Sequence, residues 1–337
     1  MSQFSELHDE LRSVAVDLLA KDSVDWPLLV SAGWVGLDAP EEAGGAGVTF
    51  AEVAVICEEL GRAAATTGYL GSGVLAIGAL NTLQESASRD ALLSAVVAGT
   101  TRAAVALSGA GDVPFEVAAG RVRGQATFVL DAMGAQRLLL PARDADGITV
   151  LVDVAAGTPG LTVTEQPVLD ETRSVATVTA DGVDVDDDSV WRFDAEAGLH
   201  TLTERAALAV ACDSLGVAQA MLDTTVAYTG VRRQFGRPIG SFQAVKHACA
   251  DMLVRISVAR QLVSAAIADP GPRSVSMAKA YATETAVDVA GKAMQLHGGI
   301  GYTWESGVHV YLKRAALNRS LFGSPAEHRA RIAASLR

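Results

Sequence analysis

The stretch Arg232-Arg233-Gln234-Phe235-Gly236-Arg237-Pro238-Ile239-Gly240-Ser241-Phe242-Gln243 lies where one long amphipathic run, Glu204–Thr229, gives way to another, Ser241–Ile267. It reads as a bend between two helices. A third run, Ser274–His297, follows the break Asp269-Pro270-Gly271-Pro272. Helices of roughly 25 residues lying side by side predict a four-helix bundle for residues 191–337.

Upstream, residues 1–101 also read as helices. Phe4–Leu19 and Phe50–Arg62 carry apolar residues at three- and four-residue spacing, separated by breaks such as Gly44-Gly45-Ala46-Gly47. Thr49 followed three residues later by Glu52 fits a capping box at the start of the second helix. Residues 102–190 differ in texture. Short runs rich in valine, leucine and threonine (Ala103–Leu107, Ala126–Leu130, Arg137–Pro141, Ile148–Val152 and Ser174–Thr179) alternate with turn signals such as Asp146-Gly147 and Asp181-Gly182. They predict a small antiparallel β domain. No GxGxxG follows a strand and opens a helix, which argues against a dinucleotide-binding βαβ unit.

Half of the 337 residues are hydrophobic, enough for a large core and two or three structural units. The net charge of −12 disfavours a nucleic-acid or anionic-membrane surface, without excluding a local basic pocket for a phosphorylated ligand. Apolar stretches such as Ala206–Ala211 fall short of the roughly 20 residues that a membrane span needs. Met1-Ser2-Gln3-Phe4-Ser5-Glu6 lacks the basic and apolar regions of a signal peptide, so a cytoplasmic protein is expected. Cys57, Cys212 and Cys249 are widely spaced with no CxxC and read as core residues; no metal site is expected.

Four strings, in this order along the chain, resemble the acyl-CoA dehydrogenase family over essentially its whole length. Gly36-Leu37-Asp38-Ala39-Pro40-Glu41-Glu42 through Gly44-Gly45-Ala46-Gly47 resembles the N-terminal PEExGGxG loop, and Asp170-Glu171-Thr172-Arg173 the DxTR turn. Arg232–Gln243 is similar to the RxxFGxxIxxFQ segment, and Gln295-Leu296-His297-Gly298-Gly299-Ile300-Gly301-Tyr302 to QxxGGxGY. The resemblance implies a mainly α fold with a central β domain: an N-terminal helical domain, a β-barrel-like middle and a C-terminal four-helix bundle. It implies FAD as cofactor, an acyl-CoA thioester as substrate, and electron-transfer flavoprotein or a similar acceptor as a partner. In the family these C-terminal segments reach across a dimer interface to FAD held mainly by the neighbour. Arg232, Phe235, Gln243, Gln295, Gly298 and Gly299 therefore stand as cofactor-binding residues. The chemistry suits them. A guanidinium pairs with phosphate, an aromatic ring packs on a flat ligand, an amide both donates and accepts, and glycines 298, 299 and 301 admit close backbone approach. The plainer alternatives are a solvated helix face for Arg232 and Arg233, core packing for Phe235 and Phe242, and a helix C-cap for the glycines.

The chain departs from the family at the general base, a glutamate that removes the proton next to the thioester carbonyl. One family position for it falls on Phe322, within Leu321-Phe322-Gly323-Ser324; the other, counted back from Gly216-Val217-Ala218-Gln219, falls on Ala206. Neither can accept a proton, so no catalytic residue is assigned. Glu204 is two residues from Ala206, about 200° round a helix. Glu305 and Glu327 are more distant acids. The flavin-ring strings are also eroded: Leu107-Ser108-Gly109-Ala110-Gly111-Asp112 replaces TEPxAGSD, and Thr127-Phe128-Val129-Leu130-Asp131 lacks the family tryptophan. This pattern is similar to the heteromeric α2β2 dehydrogenases of actinobacterial steroid (cholesterol) side-chain degradation, in which a base-bearing subunit pairs with one lacking it. The expectation is a subunit of such a hetero-oligomer, acting on a steroid side-chain CoA ester. A self-sufficient homotetramer using Glu204 and a non-catalytic CoA-ester-binding scaffold stand as alternatives.

Overall fold

The structure, a computed structural model, describes residues 3–20, 24–107, 109 and 112–335. The N-terminal part is helical: α1 (Gln3–Leu19), α2 (Trp26–Ser31), α3 (Phe50–Arg62), a π-helical segment Tyr69–Ala76 running into α4 (Ile77–Leu80), and α5 (Ala87–Val97). The capping box at α3 forms as expected. The Thr49 hydroxyl accepts from the Ala51 N–H at 3.2 Å, and the Glu52 carboxylate accepts from the Thr49 N–H at 3.0 Å.

Eight strands follow: β1 (Ala103–Val105), β2 (Phe115–Ala118), β3 (Arg121–Leu130), β4 (Arg137–Arg143), β5 (Thr149–Ala155), β6 (Leu161–Glu165), β7 (Val175–Asp184) and β8 (Val190–Arg192). They form one sheet in the order β6-β7-β3-β2-β4-β5-β8, with β1 also on β4. The sheet is mixed rather than purely antiparallel. β1 pairs in parallel with Arg137–Leu139 and β2 with Ala142–Arg143, so the two act as one broken strand running alongside β4. The loop between them interrupts an otherwise continuous ladder, which is why both share one direction. β4 and β5 are buried on both faces. Leu138, Leu140, Val150 and Val152 point into the sheet's own core, whereas Leu139 and Leu151 point into the helical core. Such strands lose the apolar–polar alternation of a half-exposed sheet.

The C-terminal part comprises α6 (Gly198–Val231), a short hairpin of β9 (Arg233–Gln234) and β10 (Arg237–Pro238), then α7 (Gln243–Ala268), α8 (Pro272–His297), α9 (Val308–Ser320) and α10 (Pro325–Ala334). α6 to α9 pack as the expected bundle, with α10 laid on α8. α6 begins well before Glu204 because Leu199 and Leu202 extend its buried face, and no capping side chain marks its start. By length and composition this one helix, contrary to the reading of short apolar stretches, could cross a bilayer; it is instead the buried centre of the bundle. α3 crosses it at Gly61 and Gly216, where a Cβ at either position would lie 1.9 Å from a carbonyl oxygen of the other helix. The glycine in Gly216-Val217-Ala218-Gln219 is thus required by close helix approach.

A buried charge cluster joins all three parts. Asp213 of α6 accepts from Arg314 Nε at 3.0 Å and Nη2 at 2.6 Å, and from Asn318 Nδ2 at 2.6 Å; Arg173 Nη2 lies 2.9 Å from it. Arg314 Nη1 donates to Thr172 Oγ1 at 2.8 Å and to the Ala65 carbonyl at 2.9 Å. The Asp170-Glu171-Thr172-Arg173 turn is therefore the plug that docks the sheet onto the bundle. Burial alone would raise the Asp213 carboxyl, but Arg314 and Arg173 outweigh it and hold it at about 2.

Replacing Asp213 with Ala strands two buried guanidinium groups and should cost about 3–5 kcal/mol of unfolding free energy. A carboxyl depressed from the ordinary value of about 3.9 to about 2 contributes stability that is present above pH ~4 and lost as pH falls toward 2. Denaturant melts across that window should show a steep acid limb in the wild type and a shallower one in Asp213→Ala. Equal slopes would remove Asp213 as the source.

Candidate functional site

Local sequence makes a projecting hairpin at the end of α6. Phe235 (φ +50°) and Gly236 (φ +77°) are the two turn residues between β9 and β10, both in the left-handed region that a two-residue hairpin with native twist demands. A phenylalanine there is strained, and the turn holds its ring outward, 90 % exposed, edge-on to Phe242 with centroids 6.1 Å apart. Arg237 covers Phe242 at 4.1 Å. Arg232 precedes the hairpin. Its main chain is tied to Tyr228 and Ile239, while its exposed side chain has no ion-pair or hydrogen-bond partner among the described residues. Gln243, the first residue of α7, is exposed beside it.

The second segment lies at the same end of the bundle. Tyr228, in the last turn of α6, stacks on His297 at 4.4 Å, and its hydroxyl donates to the His297 carbonyl at 3.3 Å. That contact sets Gln295, Gly298 and Gly299 beside the end of α6, across a cleft lined by Val231 and Ile300. Gln295 is exposed and accepts from Lys292. A Cβ on Gly298 or Gly299 would meet nothing within 4 Å, so both face open space. Gly301 differs: a Cβ there would press to 2.7 Å on the Met294 carbonyl, which makes it a packing glycine, not one that admits a cofactor. Tyr302 and Trp304, on the turns that follow, are each 72 % exposed. Sequence reasoning did not assign these two to the site, and uncharged aromatics beside a glycine loop were the available signal.

The base positions are closed. Ala206 is buried on α6, and Phe322 is a buried member of the main core with φ +54°. The loop carrying Phe322 is pinned from beneath. Lys279 of α8 is fully buried and donates to the Asn318 and Gly323 carbonyls, each at 3.0 Å; burial pulls its amine down to about 7. His328 Nε2 donates to the Phe322 carbonyl at 3.0 Å, which leaves Nδ1 to accept from the Ser276 hydroxyl at 3.1 Å. Burial and neighbouring Lys279 hold that imidazole neutral, down to about 4. Glu327 completes the capping box of α10 with Ser324, and Glu305 is exposed in a surface turn. Glu204 opens into a separate cavity that neither Ala206 nor Phe322 lines.

On the sheet, Phe128 lies in a bulge of β3 with φ +58° and is 42 % exposed, its N–H held by Gln166. In this string, which lacks the family tryptophan, the Phe128 ring is thus presented outward. Asp131, pushed up to about 6 by burial, accepts from the Gly71 N–H at 2.8 Å and ties the sheet to the π-helical segment. Of the eroded Ser108–Asp112 loop, Ser108, Ala110 and Gly111 lie outside the described residues.

Residues 6–100 match the acyl-CoA dehydrogenase N-terminal domain family and residues 199–337 the C-terminal domain family. The chain belongs to the acyl-CoA dehydrogenases, a FAD-dependent family of oxidoreductases. Among its relatives, acyl-CoA dehydrogenase IpdE2 of Mycolicibacterium smegmatis is 34% identical over 97% of this chain and 93% of its own. Two solved assemblies are similar in sequence and fold. The ChsE4-ChsE5 complex of Mycobacterium tuberculosis is 29% identical with a TM-score of 0.88, covering 100% of this chain and 98% of the other. The Tcur3481-Tcur3483 steroid ACAD is 29% identical with a TM-score of 0.86, covering 98% and 97%.

The glycine geometry gives a direct test. Gly301→Ala should destabilise the fold by roughly 1–3 kcal/mol, the range of an overpacked contact, whereas Gly299→Ala should leave the melting temperature within a degree or two. Equal melting temperatures for the two variants would contradict the packing role of Gly301.

Proposed function

We propose that this chain is the base-less subunit of a hetero-oligomeric, FAD-dependent acyl-CoA dehydrogenase of the cytoplasm. The carrying observation is an asymmetry. Phe322 and Ala206, at the two places for a base, are buried and apolar, while Arg232, Phe235, Gln243, Gln295, Gly298 and Gly299 are exposed, with no partner for the Arg232 cation among the described residues and nothing covering the glycines, although Gly298 also caps α8 and Phe235 touches Phe242 edge-on. That surface fits FAD. Arg232 offers an unneutralised guanidinium to the pyrophosphate, Phe235 an open apolar face, Gln243 and Gln295 amides that donate and accept, and the glycines an unobstructed main chain. FAD, when bound, supplies the hydride acceptor for α,β-dehydrogenation of the thioester. This chain's residues bind and orient; the proton is taken by a glutamate of the partner subunit, itself a second acyl-CoA dehydrogenase chain, in an α2β2 arrangement. The two-protein names of the similar assemblies support a mixed oligomer, and the steroid ACAD among them supports a steroid side-chain CoA ester as substrate. Electron-transfer flavoprotein or a similar acceptor then reoxidises the assembly.

Two measurements on the co-purified complex test this. Flavin absorbance against protein concentration should give one FAD per pair of unlike chains; one per chain would favour a self-sufficient oligomer. Arg232→Ala should leave the fold intact and weaken FAD binding roughly tenfold to a hundredfold, the loss of one charge-assisted hydrogen bond of about 1.5–3 kcal/mol. Wild-type flavin content in the dialysed variant complex would remove Arg232 from the site.

A further inference from the structure

A cavity of about 330 Å3 lies on the side of α6 away from Ala206 and Asp213. Its walls come from the start of α3, the end of α4, the first turns of α6 and the α7–α8 turn. Leu202, Leu208 and Val275 form a buried apolar floor, and Phe50 and Ile267 add half-buried sides. Thr201 and Pro272, both exposed, stand at the mouth. Glu204 and Leu208, one turn apart, face it, about 160–200° round the helix from Ala206. The space is thus separate from the flavin-facing surface and from both base positions.

Two acceptors lining this space lack a donor among the described residues. Asn81 is locked by its Nδ2, which donates to the Asp38 carbonyl at 2.9 Å; this turns Oδ1 away from that bond, and Oδ1 is buried with no hydrogen bond. Glu204 is half-buried with no hydrogen-bond partner among the described residues, and burial raises its carboxyl despite the nearby charges of His200 and Arg331. A buried acceptor without a donor costs free energy, so such groups are normally satisfied by a bound molecule or an equivalent. Among the described residues lining the cavity, the cation is already paired. Arg205 pairs with Asp38 at 2.6 Å, donates to the Val74 carbonyl at 2.9 Å, and lies over the Phe50 ring. An anionic ligand would face the Glu204 carboxylate and a guanidinium already paired with Asp38, whereas a hydroxyl could donate to Asn81 Oδ1 and share a hydrogen bond with Glu204.

We propose that this cavity is a ligand site distinct from the dehydrogenase site, and that it takes a compact, mainly apolar, neutral alcohol. The proposal stands independently of the flavin reading. The probe is 1-adamantanol, a rigid cage alcohol, titrated into the full-length chain by calorimetry, with 1-adamantanecarboxylate as the anionic control. Saturable binding of the alcohol is expected, with the carboxylate at least tenfold weaker. Thr201→Trp, at an exposed rim position, should abolish binding by closing the mouth, and Glu204→Leu should weaken it about threefold to tenfold, as for one lost hydrogen bond. No saturable binding at millimolar alcohol, equal affinity for the carboxylate, or full affinity in both variants would each overturn the proposal. Wild-type selectivity alone decides the case should Thr201→Trp fail to fold.

Discussion

The carboxylate of Asp213 is where the three parts of this molecule meet. A single negative charge in the middle of the longest helix is satisfied by Arg314 from α9, Asn318 one turn further on, and Arg173 from the turn ahead of β7. Taking these groups out of water is costly, and the arrangement is tolerable only because nearly every donor and acceptor is matched. Such a network selects one docking geometry over others: an apolar interface could slide by a few ångströms, but a bidentate guanidinium on a fixed carboxylate cannot. The positions of α9, and so of the Phe322 loop that follows it, are set by this contact. The loop is then fixed a second time from beneath by Lys279 and His328.

This double anchoring gives the buried phenylalanine its meaning. A polar side chain at residue 322 would need partners that the surrounding core does not offer, and a glycine would leave a void. Phe322 instead fills the space as part of the apolar core while keeping the left-handed turn with Gly323. At the other end of the bundle the balance is reversed. Phe235 occupies an equally strained conformation but is exposed, and only its edge-on contact with Phe242 offsets the cost. The strain at Phe322 is explained by packing; Phe235, like Phe128 on the sheet, holds its ring outward.

The helices were legible because their faces repeat at three and four residues; α3 runs from Phe50 to Arg62 as the spacing indicated. The start of α6 was not, since the residues before Glu204 carry no cap. β2, β6 and β8 are short, or lie among polar residues, and left no periodic trace. The parallel pairing of β1 and β2 on β4 depends on which strand ends come together in space, which local sequence does not encode. The stretch around Phe235-Gly236 was readable as a bend, not as a hairpin, and it was grouped with the glycines at 298 and 299 through the family resemblance. The role of Gly301 was not readable, because a glycine required by packing and one required by a ligand look alike in one dimension. The Asp170-Glu171-Thr172-Arg173 turn was found as a string, but its work as an interdomain plug appears only when Asp213 and Arg314 are beside it.

The contact from Arg314 to the carbonyl of Ala65, and that from the Tyr311 hydroxyl to the carbonyl of Arg62, join residues 249 positions apart. During synthesis the N-terminal helices leave the ribosome long before α9 exists, and α6, against which α3 packs at Gly61 and Gly216, comes only after the whole sheet. At translation speeds of about 5–20 residues per second the end of α3 waits tens of seconds for its final hydrogen-bond donors. The face of α3 that packs on α6 is uncovered until α6 itself is made. The nascent chain thus carries exposed apolar surface of the kind that holding factors bind, and a message truncated before α9 would leave the carbonyls of Arg62 and Ala65 without these donors.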